Sequence, residues 1–437
     1  MQPAIWSDER ARRYRDLGYW TDASYAGYLR QHATAIPDGV ALSDGQQSLT
    51  WAQIERWTDA VACSLVRRGL QRDAVLATWL PNWIESYLLR FACEKAGLVW
   101  LPISRSARLR ELRPMLETAR AAAVVIAPPD TRDYWAELQE LRPALPSLQW
   151  SFVARGKGSP ELISLAELAT QAPSGSEVQE LSARSFGAGE VVMLQPTSGS
   201  TGIPKLCQYL LAGCTARGRA QVELFSLASH DVMLASVQGF GPSIPPLLAA
   251  PVVGAQVTVT DHSGPRQLLE LIEHERVSIV FAVPPIYREL VPLLAERVAD
   301  VSSVRIWYST GMAMPADLAE TLERLTGALV LSGYGGVDLG CWCAPAPEDP
   351  PPVRWLTAGQ PRGGTELRLV DEAGRPVAGE GEVWGRGPSS TGGYFGQPEA
   401  TRLAWTEDGW FRTGDIGRFD AEGNLVLVGR KVEVINR

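Results

Sequence analysis

At 437 residues the chain is too long for one compact core, and two or three subdomains are expected. Its hydrophobic share of 45% and charged share of 21% are those of a globular protein that folds in water. The net charge of −8 argues against a general nucleic-acid binder or a membrane-surface protein, and leaves room for phosphates held by local donors.

Cys63, Cys93, Cys207, Cys214, Cys341 and Cys343 show no C-x-x-C spacing, and His32, His230, His262 and His274 form no metal motif. The cysteines read as reduced core thiols of a cytoplasmic protein. The first ten residues, Met1 to Arg10, have neither the basic start nor the apolar run of a signal peptide. No apolar stretch reaches transmembrane length, so no membrane role is expected.

In chain order, Thr50 is a candidate N-cap for a helix beginning at Trp51. Residues 74–80 read as a buried strand ended by Pro81, residues 83–96 as a helix, 98–102 as the next strand, and 121–127 as a repeat of that pattern. Residues 156–160 and 173–176 read as loops. Strands are expected at 191–194, 257–260, 277–283, 304–308 and 328–331, with helices at 266–275 and 316–325. This alternation predicts βαβ units with parallel sheets. From about 350 short strands at 367–370, 381–385 and 425–428 are separated by Gly, Pro and Asp turns, which suggests a small β subdomain. The fold class is therefore α/β, with two βαβ-type subdomains at 1–185 and 186–350 and a small β-rich one at 351–430; residues 431–437 begin a hinge.

The segment Thr197-Ser198-Gly199-Ser200-Thr201-Gly202-Ile203-Pro204-Lys205 carries the most chemistry. Glycines let backbone N–H groups close on a ligand, and successive N–H groups form an anion-binding concavity. Thr197, Ser198, Ser200 and Thr201 add hydroxyls and Lys205 adds a positive charge, a set suited to a polyphosphate. A Walker loop requires G-x-x-x-x-G-K-[S/T], and here Ile203 and Pro204 separate Gly202 from Lys205. The segment resembles instead the phosphate loop of the adenylate-forming superfamily, which holds acyl-CoA synthetases, luciferases and the adenylation domains of peptide synthetases. Further segments are similar to that family's motifs and stand in its order: Ser309-Thr310-Gly311, Tyr334-Gly335-Gly336-Val337-Asp338, Thr413-Gly414-Asp415 and Gly429-Arg430-Lys431.

The resemblance covers essentially the whole chain and implies activation of a carboxylic acid by ATP, with Mg²⁺. By resemblance, residues 197–205 hold the β- and γ-phosphates, and Thr201 and Asp338 hold Mg²⁺, with aspartate standing where glutamate is usual. Asp415 takes the ribose hydroxyls, and Arg430 reaches ribose or phosphate. Tyr334 stacks on adenine, and Thr310, Gly311 and Gly335 line its pocket. The family's main catalytic lysine lies on a C-terminal domain beyond the hinge. The chain as given, ending at Arg437, is therefore expected to bind well and adenylate slowly.

Residues 6–20, 271–285 and 429–437 resemble stand-alone aryl-acid ligases of the 2,3-dihydroxybenzoate type. The pocket stretch Gln238-Gly239-Phe240-Gly241-Pro242-Ser243-Ile244 departs from that branch. Gly239 stands where the branch has an asparagine and where amino-acid-activating domains have an aspartate. An α-ammonium would be left unpaired, at a high cost when buried. Phe240 and Ile244 leave an apolar slot for a flat ring, Gly333 and Gly336 leave room, and Gln238 or Ser309 is a candidate contact to a ring substituent. Salicylate-, anthranilate- or hydroxyanthranilate-like acids fit, with a carrier-protein phosphopantetheine or CoA as acyl acceptor. The alternatives are an acyl-CoA synthetase for another non-amino acid and a non-catalytic module that binds nucleotide or acyl-AMP.

Overall fold

The computed structural model describes residues 1–197, 204–236, 240–261, 264–340 and 342–431. Three sheets organise them. The first has seven strands, in the order Ile163–Ser164, Trp150–Val153, Ala123–Ile126, Val75–Leu80, Val99–Ser104, Val191–Pro196 and Leu206–Leu210. Its pairings are parallel except the last, which is antiparallel. All six residues of Val75–Leu80 are buried, as a central strand covered on both faces requires.

The second sheet has nine strands. Its centre is the parallel set Gln256–Val259, Val232–Ala235, Ile279–Ala282, Ile306–Thr310 and Leu329–Gly335. Strand pairing crosses residue 185 in both directions. Val40–Ser43 and Ser48–Thr50 close one edge of the second sheet, while Val191–Pro196 and Leu206–Leu210 complete the first. The third sheet is a four-stranded antiparallel meander of Glu366–Val370, Gly381–Arg386, Phe411–Phe419 and Leu425–Arg430.

Local chemistry accounts for the helix starts. Thr50 caps the helix Trp51–Arg67 in a reciprocal capping box with Gln53. Residues 173–176 are not only a loop. Ser174 caps the helix Gly175–Ala183, with Glu177 completing a second box, a Ser-x-x-Glu signal legible in the sequence. The segment after residue 239 is a helix, Phe240–Val253, despite Pro245, Pro246 and Pro251. Its residues Leu247, Leu248, Ala249 and Ala250 are at most 1% exposed, and this burial outweighs the poor helix propensity of proline.

The second sheet divides two cores by strand alternation. Phe281 and Tyr308 face a large core shared with the first sheet and with the helices Leu211–Phe225 and Phe240–Val253. Ala282, Trp307 and Val330 face a separate core that contains Leu268, Tyr287 and Leu318.

Candidate active site

The parallel strands of the second sheet end together: Ala235 is level with Phe281, Ala282 with Ser309, and Thr310 with Gly333. Ligands of open parallel sheets bind beyond such carboxyl ends. Thr310 and Gly311 lie there, and Gly311 adopts φ +85°, a left-handed conformation natural to glycine, with open space where a side chain would stand. Tyr334 and Gly335 close the neighbouring strand.

The candidate phosphate loop falls between the antiparallel strands Val191–Pro196 and Leu206–Leu210 of the first sheet. At its neck the Thr197 N–H donates to the Lys205 carbonyl at 2.9 Å, and the Lys205 N–H donates to Thr197 Oγ1 at 3.3 Å. Ser198, Gly199, Ser200, Thr201 and Gly202 lie outside the described residues, as do Gln238 and Gly239. The Lys205 ammonium sits 4.6 Å from the centre of the Tyr394 ring. The Tyr394 hydroxyl donates to Asp338 Oδ2 at 2.7 Å, and the Cys207 thiol donates to Asp338 Oδ1 at 3.3 Å. The Asp338 carbonyl accepts from the Thr391 hydroxyl at 2.6 Å. Burial first, and the Asp338 charge second, push both the Tyr394 phenol and the Cys207 thiol above their ordinary ranges, so both stay protonated donors.

Asp338 therefore rests on two neutral donors. Among the described residues no three His, Cys, Asp or Glu side chains are grouped for a metal ion. A single carboxylate nevertheless fits Mg²⁺, which commonly binds through one or two carboxylates together with substrate phosphates.

A second cluster forms on the third sheet. Asp415 and Arg430 are cross-strand partners, and Arg430 Nε donates to Asp415 Oδ1 at 2.9 Å. The Tyr334 hydroxyl donates to Asp415 Oδ2 at 2.7 Å, which ties the second sheet to the third. Burial and then the Asp415 charge raise the Tyr334 phenol far above its usual range. The Arg430 side chain is 68% exposed, so its ion pair with Asp415 is weak and readily exchanged for a ligand.

The residues expected to line an acid pocket divide. Ile244 is buried in the helix Phe240–Val253, while the Phe240 side chain is outside the described set. Gly333 does leave room, but Tyr308 takes it: a Cβ on Gly333 would lie 1.8 Å from the Tyr308 hydroxyl oxygen. Ser309 is fully buried, shares the Trp307 face by alternation, and its hydroxyl has no hydrogen-bond partner. It thus points away from the face carrying Phe281 and Tyr308. On that face Phe225 meets Phe281 and Tyr308 edge-on, with ring centres 5.6 and 5.1 Å apart. Tyr308 is legible from the sequence, since the side chain beside Ser309 must occupy the opposite face. Tyr394 is not, because it meets Asp338 across a separation of 56 residues with no local pattern to mark it.

A family model described as "AMP-binding enzyme" matches residues 29–395. The chain is 30% identical over 99% of its length, and 80% of the relative's, to a salicylyl-CoA synthase / salicylate adenylyltransferase of a Streptomyces species. It is also 30% identical, over 99% of its length and 76% of the relative's, to a medium-chain fatty-acid–CoA ligase of Escherichia coli. Among solved structures, the Mycobacterium smegmatis MbtA apo structure superposes with a TM-score of 0.86 at 28% identity, covering 98% of this chain and 79% of that one.

Proposed function

The chain belongs to the AMP-binding enzyme family, and we propose that it activates an aryl carboxylic acid as its acyl-adenylate and passes the acyl group to a thiol. In the first step an oxygen of the acid attacks the α-phosphorus of ATP, the bond to the β-phosphate oxygen breaks, and pyrophosphate leaves. In the second a thiol sulfur attacks the acyl carbon, AMP departs as the leaving group, and the thiol loses its proton. The acceptor is the thiol of CoA or of a carrier-protein phosphopantetheine.

The observation that carries the aryl assignment is the ring cluster Phe225, Phe281 and Tyr308, set beneath the strand ends that bear Thr310 and Tyr334. Flat aromatic surface favours offset or edge-to-face contact with another ring. Gly239 supplies no carboxylate for an α-ammonium, and the Streptomyces relative is named for salicylate.

The remaining roles follow from the donors and acceptors in place. The neck bonds between Thr197 and Lys205 join the two ends of the segment proposed to take the phosphates. Asp415 exchanges Arg430 for ribose hydroxyls, while Tyr334 keeps its ring against the base and its hydroxyl on Asp415. Asp338, with Thr201, would hold Mg²⁺, which supplies neutralisation of the phosphate charge.

The test is a ligand panel read by thermal shift in the presence of ATP and Mg²⁺, with acid-dependent pyrophosphate exchange as a second readout. Binding to the native state raises its stability by mass action. Substituted benzoates should give the largest shifts. A dominant response to medium-chain fatty acids would favour the reading suggested by the Escherichia coli relative, and one to α-amino acids would remove the aryl assignment.

A further inference from the structure

The helix Leu211–Phe225 carries two polar groups that the site described so far does not use. Gln221 is 1% exposed, yet its Oε1 is buried with no hydrogen-bond partner. Arg217, one turn earlier, has its Nε buried and likewise unpartnered. Residues four apart on a helix lie side by side, and Phe225, a further four along, is the ring that meets Phe281 and Tyr308. Arg217 and Gln221 therefore continue the wall of the aromatic cluster. The Arg217 charge is felt at both the Tyr308 and the Tyr209 phenols, where it opposes the upward push of burial.

The helix direction sets where this wall stands. The helix ends at Phe225, and the chain then returns to the second sheet at Val232, the start of a parallel strand. The helix consequently runs opposite to those strands, and each residue before Phe225 lies nearer their carboxyl ends. Gln221 is displaced by about 6 Å and Arg217 by about 12 Å in that direction, at the helical rise per residue. The hydroxyl of Tyr308 leans the same way, over Gly333. The helix cannot slide to relieve the two orphaned groups, because Gly218 packs directly on the Leu248 carbonyl, 2.3 Å from where a Cβ would sit.

Buried polar groups without partners are costly, and natural ligand pockets are apolar cavities with a few convergent polar groups. Arg217 Nε–H can only donate, Gln221 Oε1 can only accept, and the Tyr308 hydroxyl can do either. One ring substituent satisfies a donor and an acceptor together: a hydroxyl. A second carboxylate would satisfy Arg217 and leave Gln221 unmet; an amino group, neutral on an aromatic ring, would donate to Gln221 and offer Arg217 only a delocalised, weakly accepting lone pair. We propose that Arg217 and Gln221, with Tyr308, form a specificity subsite that reads a hydroxyl on the ring of the acid. This rests on the aryl-acid reading above and adds the residues that choose among aryl acids.

The experiment compares affinities for benzoate and for its 2-, 3- and 4-hydroxy derivatives by calorimetry with ATP present, in the wild type and in Arg217→Met and Gln221→Leu. The wild type should bind one hydroxybenzoate at least tenfold more tightly than benzoate. Each variant should lose most of that ratio while its affinity for benzoate and for ATP stays within about twofold of wild type. Equal affinity for benzoate and all three derivatives in the wild type overturns the subsite without reference to any variant, so a variant that fails to fold does not protect the idea. A hydroxyl preference that survives in folded variants also overturns it, and leaves the aryl-acid function standing. If no benzoate binds at all while fatty acids or amino acids do, the aryl-acid function itself falls, and the subsite with it.

Discussion

Asp338 and Asp415 accept hydrogen bonds from protein groups that hold them in place without neutralising the first and only weakly pairing the second. Asp338→Asn keeps the shape that Tyr394 and Cys207 grip but removes the charge. Its affinity for ATP with Mg²⁺ should fall about tenfold or more by calorimetry, equivalent to about 1.4 kcal/mol, with little change in melting temperature. An unchanged affinity would take Asp338 out of the nucleotide site. Asp415→Ala has a different signature, because it removes the carboxylate that the half-buried Tyr334 hydroxyl donates to. It should lose both nucleotide affinity and about 1–3 kcal/mol of stability. Tyr334→Phe added to it should recover part of the stability and none of the affinity. Denaturant titration of the single and double variants measures both. At this scale the two aspartates were legible because each stands in a short motif with fixed neighbours. Their pairings were not, because Tyr394 and Arg430 reach them across chain separations of 56 and 15 residues.

At the scale of elements, the helix Leu211–Phe225 depends on close approach to the helix Phe240–Val253 at Gly218. Gly218→Ala would force a methyl against a backbone carbonyl rather than a movable side chain. Overpacking of this kind costs about 1–3 kcal/mol, against the gain that alanine usually brings to a helix interior. A thermal melt should show net destabilisation, and a stabilised variant would mean the two helices are further apart than described. The helix Gly175–Ala183 is tied to Trp51–Arg67 by Arg67 and Glu177. The Arg67 hydrogen bond first, then Ser174, lower the Glu177 carboxyl to about 2. A depressed carboxyl contributes its stability above the usual carboxylate range and loses it as pH falls toward its folded value. The stability difference between wild type and Glu177→Gln should accordingly be constant near neutrality and shrink between about pH 4 and pH 2. A difference that stays level through that window would show that the pair contributes nothing; as a surface pair its contribution is small in any case.

Across the whole molecule, the two large sheets are built from interleaved parts of the chain. Residues 40–50 complete the second sheet, and residues 191–210 complete the first. Cutting at residue 185 would strip an edge hairpin from one sheet and the strands that launch the phosphate loop from the other. Open sheet edges and exposed core faces lead to aggregation. Separately produced fragments 1–185 and 186–437 should therefore be insoluble or unfolded by circular dichroism, and two independently folded, soluble fragments would contradict this interdependence.

What the sequence determined by itself was everything governed by local spacing. Alternating strand and helix periods specify the α/β class, Thr50 with Gln53 specifies a helix start, and the ordered motifs from Thr197 to Arg430 point to the AMP-binding family. These signals are legible because backbone geometry and short-range hydrogen bonds act within a few residues. The tertiary structure alone decided which sheet each strand joins, why a segment with three prolines is helical, and which side of a strand carries the aromatic cluster. Tyr308 rather than Ser309 lies on the face lined by Phe225 and Phe281. Those outcomes depend on which distant surfaces bury one another, and burial between segments far apart in sequence leaves no spacing to read.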